Sequence, residues 1–174
     1  MADDRIGWAV EMLAPKPAER ILEIGCGHGV AATMVCDRLI DGRMLAIDRS
    51  AAMIEAARRR NAAFVAAGRA EFQVAELARA DFGNAVFDKV FALRVGIFAR
   101  GNPERELSVL RRHLAPQGRL FLFHDEPTRG ARDLVGCLEA GLSRNGWTVQ
   151  AWMTHEAKGC DIACVVAEAP GLAI

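Results

Sequence analysis

The segment Leu22-Glu23-Ile24-Gly25-Cys26-Gly27-His28-Gly29 constrains this chain more than any other. It runs from an apolar strand into a glycine turn that opens a helix. Glycine tolerates positive φ and carries no side chain, so such a turn brings bare backbone N–H groups close to a ligand. The next landmark, Met44-Leu45-Ala46-Ile47-Asp48, is an apolar strand that ends on a carboxylate. An acid about 20 residues past a glycine turn can bind both hydroxyls of a ribose. Together the two features mark a site for an adenosine-containing cofactor. Spacing narrows the choice of cofactor. A dinucleotide fingerprint needs glycines in the first, third and sixth places. Here they stand in the first, third and fifth, with Val30 in the sixth place and Ala31 after it.

The remaining pattern is a strand–helix alternation. Residues 5–13 form an amphipathic helix, with Ile6, Trp8, Ala9, Met12 and Leu13 apolar and Pro15 and Pro17 ending it. Strands are expected at Arg20–Ile24, Arg43–Ile47, Ala70–Val74, Val86–Leu93 and Arg119–His124. The first is followed by a helix over 29–40, stopped by Asp41-Gly42. Ser50 caps one long helix that runs to Gly68, with Met53, Ile54, Ala57, Phe64 and Val65 near a helical period. Asn102-Pro103 reads as a cap and a first-turn proline before a helix with Leu107, Leu110 and Leu114 on one face. Pro116-Gln117-Gly118 turns the chain into the fifth strand. A last helix covers 131–144, and Trp147–Met153 and Asp161–Ala167 close the chain as a hairpin about Lys158-Gly159. Alternation of this kind implies an α/β fold, a parallel sheet with helices on both faces, with ligands beyond the carboxyl ends of the strands.

The 174 residues suggest one domain over 1–174, with 1–17 as a short helix and lead-in. Lys+Arg and Asp+Glu are both 22, so no global field draws in nucleic acid or an anionic membrane. Arg58-Arg59-Arg60 and Arg111-Arg112 are read as solvated helix charges. Five cysteines without a CxxC pair argue against a disulfide framework or a zinc site. Cys160 and Cys164 would share one side of a strand near His155, but no metal is expected. No apolar run reaches membrane-spanning length, and the acidic start lacks signal-peptide character. A cytoplasmic location is expected.

The block Glu23-Ile24-Gly25-Cys26-Gly27-His28-Gly29 resembles motif I of the class I S-adenosylmethionine-dependent methyltransferases. The resemblance extends over about residues 18 to 168. Ala46-Ile47-Asp48-Arg49-Ser50 looks like the second motif, and Arg69 to Leu77 like the strand and loop beside adenine. Phe87-Asp88-Lys89-Val90-Phe91-Ala92 looks like the fourth-strand motif. Leu110 to Leu120 resembles the helix–turn–strand leading to the fifth strand. The resemblance implies a Rossmann-like, doubly wound, seven-stranded sheet, mostly parallel with an antiparallel C-terminal hairpin. It implies S-adenosyl-L-methionine as cofactor and a methyl acceptor as substrate.

Carried over residue by residue, the resemblance places Gly25, Cys26 and Gly27 against the methionine and ribose parts of the cofactor. Glu23 would order the turn or approach the cofactor's ammonium. Asp48 would take the ribose hydroxyls and Arg49 would cover the adenine edge. Two positions depart from the family pattern. Glu76 stands where an aspartate often accepts from the adenine amino group, with the Leu77 N–H as the expected ring donor. His28 stands where small hydroxyl residues are common, and is open between the methionine end and solvent. Arg94 would face the transferred methyl and hold a substrate carboxylate or phosphate, or pair with an acid such as Glu126.

Methyl transfer of this kind is an in-line displacement, which needs alignment more than an obvious catalytic group. His124 and Asp125 are the candidate bases, with Arg94 the third catalytic candidate; pairing of the acids with Arg94 or Arg129 is the other reading. The chain lacks a tyrosine and any proline-rich motif after the fourth strand, which argues against amino groups of DNA bases and protein glutamine as acceptors. With no large inserted cap, a small-molecule acceptor is expected, or a partner chain such as a second copy in a homodimer. Trp8 stays open between a lid, a dimer contact and plain packing. The alternative to an enzyme is a non-catalytic, partner-dependent member of the fold that binds S-adenosylmethionine.

Overall fold

In the computed structural model, residues 4–156 and 160–171 are described. Seven strands form one sheet in the order β3-β2-β1-β4-β5-β7-β6. They are β1 (Arg20–Ile24), β2 (Arg43–Asp48), β3 (Ala70–Val74), β4 (Phe87–Leu93), β5 (Leu114–Asp125), β6 (Thr148–His155) and β7 (Ile162–Glu168). β1 to β5 run parallel, while β7 is antiparallel to both β5 and β6. The sheet is therefore the Rossmann-like, mostly parallel one with an antiparallel C-terminal hairpin that the resemblance implies. The tip of that hairpin at Lys158-Gly159 lies outside the described residues.

The alternation of side chains along each strand splits the core in two. Leu22, Ile24, Val90, Ala92, Leu120 and Leu122 face one way. They pack under α5 (Gly96–Arg100), α6 (Glu104–His113) and α7 (Ala131–Arg144). Ile21, Met44, Ala46, Phe72, Phe91, Phe121 and Phe123 face the other way. They pack under α1 (Asp4–Leu13), α2 (Val30–Cys36) and α3 (Ala51–Arg60). Strand order reverses at β1, between β2 and β4, so the crevice beyond its carboxyl end is the natural ligand site.

Four expectations need correction. The helix from Ser50 to Gly68 is two helices, α3 and α4 (Ala62–Ala66), broken at the buried Asn61 (φ −105°, ψ 23°). The Asn61 amide turns inward to accept and donate hydrogen bonds, and short polar side chains of this kind compete with the helical ladder. The helix after Gly29 ends at Cys36 rather than at residue 40, because Ile40, Asp41 and Gly42 all donate their N–H to the Pro17 carbonyl. β5 begins at Leu114, with the Pro116–Gly118 turn carried inside it as a bulge. Leu114 faces Phe87 and Arg119 faces Lys89, so the four residues between oppose the single Asp88. Leu114 thus belongs to the strand, not to the helix face of Leu107 and Leu110. Pro103 itself takes the cap position of α6.

Candidate active site

β1 delivers the glycine turn. Gly25, Gly27 and Gly29 all have positive φ, at 71°, 51° and 74°. Contact also restricts Gly25 and Gly29. A Cβ on Gly25 would sit 2.7 Å from Val95 Cγ2, and one on Gly29 would sit 2.7 Å from Asn61 Nδ2. A Cβ on Gly27 would meet nothing within 4 Å, so this peptide faces open space. The glycines of the turn do not present bare donors, however. Gly25 and Cys26 both donate to the Ile47 carbonyl (2.8 and 3.0 Å), and Gly27 donates to Asp48 Oδ2 (3.0 Å). β2 consumes these N–H groups because it ends alongside the turn. The glycines therefore supply close approach, not hydrogen-bond donors.

Asp48 links the two motifs. Its other oxygen, Oδ1, accepts from the Ser50 N–H at 2.9 Å, where α3 begins. An ionised carboxylate offers about four lone-pair sites, so two remain for ribose hydroxyls. Behind the turn, Glu23 is only 3% exposed and its Oε2 has no hydrogen-bond partner. Burial, helped by the nearby Asp48 charge, pushes its carboxyl up to about 8. Cys26 is buried beside it, and burial pushes its thiol up to about 12, so it is no nucleophile at neutral pH.

A cleft of about 620 Å³ lies at the switch point. Gly25, Asp48, Arg49, Glu76, Leu77 and Arg94 line it together. Leu93, Val95 and Ile97 add an apolar wall, and Arg100 and Glu106 add charge. Glu76 is exposed and stands 3.8 Å from Arg79; Leu77 is buried and opens a short 3₁₀ turn, Leu77–Arg79. Glu23, Cys26 and Gly27 lie outside the lining. His28 is exposed, and its carbonyl accepts from Arg60 Nε at 3.0 Å.

One side of the cleft is built by the end of β4, with the end of β5 next to it. Arg94 sits at φ 60°, and its guanidinium grips Asp125 with two parallel N–H bonds, Nη2–Oδ2 at 2.8 Å and a shorter one from Nε to Oδ1. Asp125 Oδ2 also accepts from Arg5 Nη1 of α1 at 2.9 Å. Its partner is thus Asp125 rather than Glu126, which stands 3.8 Å from Arg100. Two guanidinium groups occupy the Asp125 carboxylate, which ties α1 to the ends of β4 and β5. His124 is buried on the α5–α7 side and does not line the cleft. Burial first, then the Arg100 charge, lowers its proton affinity. A non-glycine residue at positive φ costs about 1 kcal/mol. Arg94→Gly is therefore expected to be about 1 kcal/mol more stable than Arg94→Ala in urea unfolding, since both lose the same ion pair. Equal stabilities would show that the turn carries no strain.

Trp8 packs edge-on to Phe123 at 5.9 Å and stacks on His155 at 5.3 Å, so its ring is used in packing. Cys160 precedes β7 and does not share its alternation with the fully buried Cys164. Among the described residues no three His, Cys, Asp or Glu side chains converge as a metal site, and no helix is long and apolar enough to cross a membrane. Asn61, Arg5, Arg100 and Glu106 are the site neighbours that the sequence reading passed over. Asn61 alone carried a signal, as a polar residue interrupting an alanine- and arginine-rich helix.

The comparison with known families decides what this cleft belongs to. A methyltransferase-domain family model matches residues 21–118. The chain belongs to that family. It is a class I methyltransferase domain of the S-adenosylmethionine-dependent kind. An O-methyltransferase from Pyrenophora dematioidea is 33% identical over 110 residues, which covers 63% of this chain and 40% of that protein. The chain thus matches well under half the length of that relative. The N-methyltransferase NodS from Bradyrhizobium japonicum WM9 superposes with a TM-score of 0.73 at 15% identity, covering 97% of this chain and 96% of that one. The [4+2]-cyclase SpnF gives a TM-score of 0.76 at 16% identity, covering 95% of this chain and 80% of that one. Likeness at such identity concerns the fold alone. The methyltransferase cofactor fits the residues present. The open face at Gly27, the spare lone pairs of Asp48 and the unpartnered, buried Glu23 Oε2 are compatible with such a ligand.

Proposed function

We propose that this protein moves a methyl group from S-adenosylmethionine to a small-molecule acceptor by in-line displacement. The observation that carries the reading is the single cleft that joins Gly25, at the start of the glycine turn, and Asp48 to Glu76, Leu77 and Arg94. When bound, S-adenosylmethionine supplies a methyl on a positively charged sulfonium, already activated for transfer. Gly25 and Gly27 give it a backbone surface, Asp48 holds the ribose, and Glu76 with the Leu77 N–H takes the adenine edge. Arg49 covers that edge from the rim. The chain's main task is alignment and exclusion of water, which positioned groups accomplish without a dedicated base. Calorimetric titration of the protein with S-adenosylmethionine, S-adenosylhomocysteine and NAD tests this. Micromolar binding of the first two without NAD binding is the expected result; NAD binding alone would overturn the glycine-spacing argument.

Beyond the cofactor residues, the cleft leaves an apolar wall of Leu93, Val95 and Ile97 with Arg94 and Arg100 beside it. The Arg100 guanidinium lies across Gly96, so close that a Cβ there would stand 2.7 Å from Nη2. We infer an acceptor with an apolar body and an anionic group. Aromatic carboxylic acids should be methylated at least tenfold faster than their amides. Arg100→Gln should erase that preference by raising KM for the acids. Equal rates for acids and amides in the wild type would refute the charge assignment.

A further inference from the structure

The outer face of the glycine turn is gripped by residues that lie outside the cleft lining. α3 is capped by Ser50, two residues after Asp48, and its far end comes back to the turn at Arg60 and Asn61. The buried Asn61 amide donates Nδ2–H bonds to the carbonyls of Gly29 (3.0 Å) and Ala57 (2.9 Å). Its Oδ1 is 2.8 Å from the Thr33 hydroxyl of α2. That hydroxyl is also 3.0 Å from the Gly29 carbonyl, and its one proton serves one of the two at a time. Arg60 Nε donates to the next carbonyl back, that of His28, at 3.0 Å. At the other end, Asp48 ties the Gly27 N–H to the Ser50 N–H.

α3 is therefore a strut fixed to the turn at both ends, with Gly27 held by its donor and His28 and Gly29 held by their acceptors. A turn with three residues at positive φ has many alternative conformations when released. Fixing it before the ligand arrives removes that ordering cost from binding. We propose that Asn61, assisted by Arg60, is a positioning residue that sets cofactor affinity by holding the glycine turn in its binding shape from behind. The inference rests on the cofactor reading above. It predicts an effect on affinity from side chains that contribute nothing to the cleft lining.

The test uses the whole chain and S-adenosylhomocysteine as probe, with affinity read by calorimetry and backbone order by hydrogen exchange of residues 26–30. Asn61→Ala is compared with Val135→Ala, a core truncation in α7 on the other side of the sheet. Both variants should lose thermal stability. Only Asn61→Ala should bind the probe at least tenfold more weakly and exchange its turn amides faster. Should it fail to fold, Arg60→Ala carries the test. It removes an exposed side chain and one bond to the turn, and is expected to weaken binding two- to fivefold. Wild-type affinity in a folded Asn61→Ala or, in its place, Arg60→Ala overturns the proposal, as does equal weakening in Val135→Ala. Failure of the folded wild type to bind the probe overturns the cofactor reading first, and this proposal with it.

Discussion

Asp48→Ala is expected to weaken S-adenosylmethionine binding by about 100-fold or more, which corresponds to roughly 2.7 kcal/mol. Two losses combine. The ribose loses its acceptor, and the Gly27 and Ser50 N–H groups lose theirs. Each orphaned donor must find water or shift, at a cost of about 1–3 kcal/mol where burial prevents hydration. Asp48→Asn keeps the volume and one acceptor oxygen, but sets an NH₂ group against one of those two backbone donors. It should therefore behave nearly as badly as Asp48→Ala, whereas a pure charge effect would leave Asn half-way. Calorimetry on both variants, with folding checked by circular dichroism, distinguishes the two. Binding within threefold of wild type in Asp48→Ala would remove Asp48 from the site.

Glu23→Gln is expected to stabilise the protein increasingly as pH rises from about 4.5 to about 8. The native state retains the Glu23 proton up to about pH 8, because burial and the nearby Asp48 charge disfavour ionisation. The unfolded chain releases it near the ordinary glutamate value. Between those limits unfolding releases a proton, so wild-type stability falls with pH by at most about 1.4 kcal/mol per unit from this group. Below pH 4.5 the contribution is fully retained; above pH 8 the loss is complete. The glutamine variant has no proton to lose and escapes the slope. Urea unfolding of both proteins at pH 5, 6.5 and 8 gives the comparison. Parallel stability profiles would show that Glu23 is ionised throughout.

Local pattern carried much of the architecture into view. The strand–turn–helix at Arg20–Val30, the apolar strand ending at Asp48 and the α7 helix all appear where side-chain periodicity places them. These elements are specified by neighbours in sequence, so a short window contains the cause. Element ends shifted by a residue or two, as expected where fraying and capping decide them. The larger errors had distant causes. α3 breaks because Asn61 bonds to a carbonyl 32 residues away. α2 stops early because the Pro17 carbonyl collects three N–H groups from residues 40–42.

The site divides the same way. Glycine spacing and the acid at position 48 are statements about backbone freedom and about a carboxylate at a strand end, and both can be read in one dimension. What those groups do with their hydrogen bonds depends on which strand lies beside them. Because β2 lies next to β1, its end takes up the N–H groups of Gly25, Cys26 and Gly27 and turns the glycines into a surface for close approach. Arg94 and Asp125 were both visible as strand-end residues, but their pairing required β4 to lie beside β5. The third member, Arg5, is 120 residues from Asp125. By itself, the sequence determined the strand–helix order, the glycine turn and the acid that serves it. Only the tertiary structure decided which charges neutralise each other and which remain in the cleft, because that depends on distances between segments that no local pattern encodes.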